Sequence, residues 1–152
     1  MSGWHPLGGS KQSKEQGYNV VMRVLVVDDD DAIRETLHDT LSDAGFDVVE
    51  ARDGLAALDI LRSSVSPMVV VLDLMMPVLD GAGVLGVVSS DRHLTQDFAY
   101  ILITAAARTF TLAFANLLSD LSIPVITKPF DIDTLVSTVE RAARTLKLSA
   151  SN

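Results

Sequence analysis

From Met22 onward, short apolar runs alternate with helix-length amphipathic stretches, five of each, and this rhythm constrains the fold more than any other feature. The run at 68–72 (MVVVL) sets the terms. It has no polar alternation, so as a strand it needs apolar cover on both faces. A parallel sheet with helices on either side supplies that cover, and βα alternation is its sequence signature. We therefore expect an α/β fold: a doubly wound five-stranded parallel sheet with five helices.

The other strands are expected at 23–27, 47–51, 100–104 and 124–127. In the first helix, 32–44, Ile33, Leu37 and Leu41 form one apolar stripe and Gly45 provides the stop. A second helix at 55–62 places Leu58 and Leu61 on one face, after the Asp53-Gly54 turn. A loop with Pro77 and Asp80-Gly81 leads into a weaker, glycine-containing helix at 82–90. The fourth and fifth helices are expected at 108–120 and 132–146, the last with Ile132, Leu135, Val139 and Ala142–Ala143 inward.

Composition narrows the function classes. The 152 residues, 48% hydrophobic and 21% charged, suit one globular domain. With no cysteine, disulfides, thiolate metal sites and thiol nucleophiles are excluded. A net charge of −8 argues against nucleic-acid phosphate as a partner of the body. Residues 1–21, rich in Gly, Ser, Gln and Lys, read as a flexible extension, native or from an upstream start codon; the alternative is an arm that docks through Trp4. No apolar run is long enough for a signal peptide or a membrane span. We expect a cytoplasmic protein with no membrane partner.

Ligands of such sheets bind outside the carboxyl ends of the strands, so those five ends come first. Strand one ends in Asp28-Asp29-Asp30-Asp31, strand three in Asp73, strand four in Thr104 and strand five at Lys128-Pro129. Each has a plain reading: a solvated acidic loop, a turn residue, a helix cap, a surface lysine. Asp31 is well explained as a helix N-cap and Asp30 as solvent-facing. Together, however, Asp28, Asp29 and Asp73 would repel by about 1–4 kcal/mol per pair at 4 Å. A cation relieves that cost, and oxygen-only donors favour Mg²⁺ or Mn²⁺ over zinc. Lys128 and Thr104 would suit a phosphoryl group at the same place. Asp73, alone at the central strand's end, is the candidate nucleophile for an aspartyl phosphate.

VLVVDDDDAIR (24–34), VVVLDLMMPVLDG (69–81), ILITA (101–105) and ITKPF (126–130) together resemble the receiver domain of bacterial two-component response regulators, in order and over about 22–148. The resemblance implies a flavodoxin-like receiver fold at 22–148, with 149–152 as a tail. It implies that Asp73 accepts a phosphoryl group from the phosphohistidine of a sensor histidine kinase or phosphotransfer protein. Asp29 matches the direct metal ligand, Asp28 the second acidic residue, and the backbone carbonyl of Met75 the third protein ligand of Mg²⁺. Thr104 and Lys128 match the residues contacting the phosphoryl oxygens, Pro77 and Gly81 the loop-shaping residues, and Lys128–Pro129 a cis bond. Met75 and Ala106 would bracket the attacking water without helping to position it, which implies slow-to-moderate hydrolysis. One position departs: family members commonly carry Tyr or Phe three residues before the lysine, and here it is Val125. The preceding LSDLSIP also lacks the common Gly-Ala pair.

After the last helix only a few residues remain, so we expect a stand-alone receiver without an output domain, of the chemotaxis type, or a phosphoryl shuttle. The alternatives are a receiver piece of a longer response regulator or hybrid kinase, and an interaction domain with an unphosphorylated pocket. A phosphatase of the haloacid-dehalogenase type would need a carboxylate where Met75 stands. The fourth helix carries no charge from Thr109 to Ser119 and is either thickly buried or an exposed apolar strip. The resemblance implies that the face formed by the fourth helix, fifth strand and fifth helix contacts an output protein or a homodimer partner.

Overall fold

The computed structural model describes residues 21–105 and 110–150. In chain order the elements are β1 (Arg23–Val27), α1 (Asp31–Asp43), β2 (Asp47–Ala51), α2 (Gly54–Ser63), β3 (Met68–Asp73), α3 (Gly81–Ser89), α4 (Arg92–Gln96), β4 (Phe98–Thr104), α5 (Leu112–Asp120), β5 (Val125–Thr127) and α6 (Ile132–Ala150). The strands form one sheet in the order β2-β1-β3-β4-β5, every pairing parallel. The chain leaves β1 toward one edge and crosses back to β3, so the order reverses between those two strands. A ligand crevice belongs at that reversal.

Alternate strand residues feed two cores. Leu25, Val27, Val70, Leu72 and Leu102 face α2 to α5, whereas Val24, Val26, Val69, Val71 and Ile103 face α1 and α6. All six residues of β3 are buried. Each fully buried Val or Leu side chain contributes roughly 1.5–3 kcal/mol, which makes β3 the mechanical centre of the sheet. Among the described residues, no helix is long and apolar enough to cross a membrane.

Among the described residues, six helices stand where five were expected. The additional one, α4, has only five residues, too few for periodicity to reveal it. It is capped by Asp91, its Leu94 is buried, and the Leu94 carbonyl accepts a 2.7 Å hydrogen bond from Tyr100 Oη. The first helix begins one residue earlier than expected, so its cap is Asp30, which accepts from the N–H groups of Ala32 (2.9 Å) and Ile33 (3.1 Å). Asp31, expected as the cap, is the first helical residue. The last helix continues to Ala150, through two positions expected to be tail.

The apolar α5 is not thickly buried. Leu118 is its one fully buried residue, Phe114 and Leu117 are half-buried, and Leu112 is 78% exposed. Of the expected features, Trp4, Ala106, Thr109 and residues 151–152 lie outside the described residues, as does the rest of the N-terminal extension except Val21.

The turn between β3 and α3 is closed tightly beneath Asp73. Gly81 donates to the Leu74 carbonyl at 2.8 Å, and Leu74 donates to the Ile103 carbonyl at 3.0 Å. A Cβ at Gly81 would stand 2.8 Å from the Asp73 carbonyl oxygen and 2.9 Å from Leu74 Cα. Both are backbone atoms and cannot swing aside. Gly81→Ala should therefore cost about 1–3 kcal/mol, read as a lower urea midpoint with an unchanged denaturant slope.

Candidate functional site

The site is built by strand register. Val27 of β1 pairs with Leu72 of β3, so the next residues, Asp28 and Asp73, leave neighbouring strands side by side. Parallel strands lie about 4.8 Å apart, which leaves the two carboxylates little room to separate. Asp29 follows in the loop to α1. Carboxylate oxygens of Asp28, Asp29 and Asp73 lie within 4.8 Å of one another, a grouping able to hold a metal ion. All its side-chain donors are hard oxygens.

Asp28 and Asp73 are buried, at 3% and 7% exposure, while Asp29 faces outward. Burial is the main cause that pushes both Asp28 and Asp73 above the ordinary carboxylate range. For Asp28, the Asp30 N–H and Lys128 oppose this, and the charges of Asp29 and Asp30 add to it. For Asp73, the hydrogen bond from Lys128 opposes it, and the charges of Asp28 and Asp29 add to it.

Lys128 enters from the end of β5. Its Nζ donates to Asp73 Oδ1 at 3.1 Å and lies 3.8 Å from Asp28 Oδ2. Its own N–H donates to the Thr104 carbonyl at 2.9 Å, which fixes the lysine's origin against β4. The bond that follows it, Lys128–Pro129, is cis, as the resemblance implied. Thr104 is buried at the end of β4, one residue beyond the Ile103 that pairs with Asp73. Met75 lies in the loop after β3 with an exposed side chain. In the same loop Val78 adopts a left-handed backbone (φ 71°), an uncommon conformation for a β-branched residue.

The β1–α1 loop is tied down by groups that sequence reasoning passed over. Asp28 Oδ1 accepts from the Asp30 N–H at 2.9 Å, and the Asp28 N–H donates to the Ala51 carbonyl at 3.2 Å. The Asp28 carbonyl accepts from Arg34 Nη1 at 2.8 Å. Arg34 stands in the IR pair that closes the first motif; its spacing three residues after Asp31 was the available signal for a helix-surface pair. Nothing in the sequence marked its reach back to a backbone carbonyl.

A cleft of about 640 Å³, lined in part by Phe98, Tyr100, Ile123, Arg141 and Leu146, opens at the opposite end of the strands and takes no part in this cluster.

The response regulator receiver domain family matches residues 24–140. Response regulator MprA of Mycobacterium avium is 46% identical over 84 residues, which is 55% of this chain and 35% of that protein. MprA of Mycolicibacterium vanbaalenii is likewise 46% identical over 84 residues, with the same coverage. The chain thus spans about a third of the length of the curated relatives it matches. Among solved structures, a CheY-like response regulator receiver domain protein from Methanospirillum hungatei is 31% identical, with TM-score 0.68 over 86% of this chain and 98% of that one. A Francisella response regulator receiver domain is 30% identical, with TM-score 0.70 over 82% and 98% of the two chains. The family match spans more than three quarters of the sequence and includes each strand end that forms the cluster, and the chain belongs to the response regulator receiver domain family of two-component signalling.

Proposed function

We propose that this chain is a phosphoacceptor: Asp73 takes a phosphoryl group from the phosphohistidine of a sensor histidine kinase or phosphotransfer protein, with Mg²⁺ or Mn²⁺ in the acidic cluster. One observation carries this reading. Three carboxylates converge within 4.8 Å beside a lysine 3.1 Å from Asp73, which leaves two uncompensated negative charges, the charge of one divalent cation. Asp28, Asp29 and Asp73 would hold the ion, with the backbone carbonyl of Met75 as a further oxygen. When bound, the ion neutralises the carboxylates and polarises the phosphoryl oxygens.

In the transfer, an Asp73 carboxylate oxygen forms a new O–P bond as the N–P bond of the phosphohistidine breaks, and the imidazole nitrogen keeps the electron pair. Lys128 gives up part of its bond to Asp73 and neutralises the transferred group, and the Thr104 hydroxyl orients it. The chain catalyses only its own phosphorylation and dephosphorylation.

An apolar groove of about 410 Å³, lined by Ile33, Leu37, Pro129, Phe130 and Ile132 among others, runs beside Lys128 and supports docking of the phosphodonor there. The output contact, to another protein or a second copy, we assign to the α5–β5–α6 face. The exposed Leu112 and Val125 support that assignment. We assign the receiver to residues 22–148 and place its work in the cytoplasm.

Incubation with acetyl phosphate and Mg²⁺ should add one acid-labile phosphoryl group, visible by intact mass. Asp73→Asn should abolish the adduct and Asp29→Ala should slow its formation by about ten-fold or more, through loss of the metal. An adduct that persists in Asp73→Asn would overturn the assignment.

The raised pKa values give a second test. Folded Asp28 and Asp73 hold protons more tightly than the unfolded chain does, so folding takes up protons as they titrate. In metal-free buffer their contribution is fully present below the ordinary carboxylate pKa of about 4 and declines as pH rises through the raised values. Asp73→Asn removes one of these ionisations. Its metal-free stability relative to the parent should therefore rise with pH, measured by thermal melts between acidic and neutral pH. Mg²⁺ should raise the parent's Tm and narrow that gap; a gap unaffected by either pH or Mg²⁺ would contradict the account.

A further inference from the structure

We infer that Arg34 is a positioning residue for the metal ligands, acting through the peptide that joins Asp28 to Asp29; this rests on the metal-binding reading above. The guanidinium engages three oxygens on three parts of the chain. Nη1 donates to the Asp28 carbonyl at 2.8 Å, Nη2 to Asp31 Oδ1 at 2.6 Å, and Nε to Glu50 Oε1 at 2.9 Å. Its side chain is only 13% exposed, and the bond to the Asp28 carbonyl is the part-buried one of the three, whereas Asp31 and Glu50 are open to solvent.

Each contact has a separate consequence. Glu50 lies on β2, which makes it an anchor fixed to the sheet rather than to the loop. Its second oxygen, Oε2, lies 2.7 Å from His38 Nδ1, off the line of a hydrogen bond but close enough to help hold the carboxylate. Asp31 opens α1, so its bond ties the helix start to the same guanidinium. The bond to the Asp28 carbonyl is the decisive one. A peptide group is planar, so fixing the carbonyl of Asp28 also fixes the direction of the Asp29 N–H and of the chain entering Asp29. Asp28 itself is already held by the sheet through Ala51 and by the Asp30 N–H on its side chain. Asp29 is the exposed, loop-borne member of the cluster and makes no such bonds of its own among the described residues. Arg34 supplies the missing constraint one peptide away.

Charge and position predict opposite effects, which makes the idea testable. A cation beside the acidic cluster repels Mg²⁺, so its removal should tighten binding if Arg34 acts only through the field. If Arg34 orients Asp29, its removal should weaken binding, as for other groups that stand behind metal ligands. Lysine keeps the charge but cannot reach three oxygens with a planar fork.

The experiment is an NMR titration of the full chain with MgCl₂, comparing the parent with Arg34→Ala, Arg34→Lys and Glu50→Gln. Metal-free Tm and the amide hydrogen exchange of Asp29 and Asp30 are recorded alongside. We expect Mg²⁺ Kd to rise by about ten-fold in Arg34→Ala and by a similar factor in Arg34→Lys. We also expect faster exchange at Asp29 and Asp30 with unchanged protection in β1 and β3. Glu50→Gln, which keeps an acceptor for Nε, should fold and show a smaller rise. An Arg34→Ala protein that binds Mg²⁺ as tightly as the parent or tighter would overturn the inference, as would full affinity in Arg34→Lys. If Arg34→Ala fails to fold, the lysine and Glu50→Gln variants decide the matter on the same readouts. A parent that binds no Mg²⁺ would instead overturn the metal reading, and this inference with it.

Discussion

Repulsion among Asp28, Asp29 and Asp73 is the term that the surrounding structure is arranged to contain. Two of these carboxylates leave adjacent parallel strands at the same level, and the strands cannot move apart without breaking the β1–β3 ladder and the cores on both sides of it. The apolar residues of β1 and β3 therefore hold like charges together. Lys128 meets part of that charge, and burial raises the proton affinity of Asp28 and Asp73 for the remainder. A proton relieves this repulsion, and a divalent cation would relieve it in the same way.

The cluster mixes two kinds of support. Asp28 and Asp73 stand at strand ends, fixed by register, while Asp29 depends on the β1–α1 loop. Loops hold geometry less well than sheets unless side chains pin them. Here the pins are the Asp30 cap, which bonds two amides of α1 by its side chain and Asp28 by its N–H, and the Arg34 fork. The run of four aspartates thus divides by role: two in the cluster, one capping, one pairing with Arg34.

Much of this was legible in the sequence because it depends on short-range pattern. MVVVL declared a strand covered on both faces, and four of the five strand ends placed Asp28, Asp73, Thr104 and Lys128 on one edge of the sheet. What could not be read were features decided by single-residue shifts or tertiary contact. Asp30 and Asp31 are equivalent as caps by composition; the backbone angle at Asp30 selects it. The five residues of α4 are shorter than two helical turns and show no stripe. The α5 sequence, uncharged as far as Ser119, favoured a thickly buried helix over an exposed strip, yet in the fold only Leu118 of α5 is fully buried, with Phe114 and Leu117 partly so. Arg34 was visible as a helix residue, yet its partners lie on a loop carbonyl and on β2.

Val125 stands three residues before Lys128, on an edge strand of the sheet. It opens β5 opposite Leu102 and is 36% exposed, with no ring to relocate into the sheet. Lys128 is tied to this edge of the sheet through its backbone. Lys128 donates to the Thr104 carbonyl, Thr104 pairs with Thr127, and β5 is only three residues long with Ile126 alone buried. A strand so short is held by few apolar contacts, and it is the sheet edge nearest to Lys128. Lys128 is the hydrogen-bond partner of Asp73, and the lysine's backbone is continuous with that edge. The lightly anchored α5, with one fully buried side chain, precedes the same edge in sequence and is joined to it by Leu121–Pro124. Main-chain hydrogen bonds thus join the site to this edge, and position 125 contributes no aromatic side chain to it.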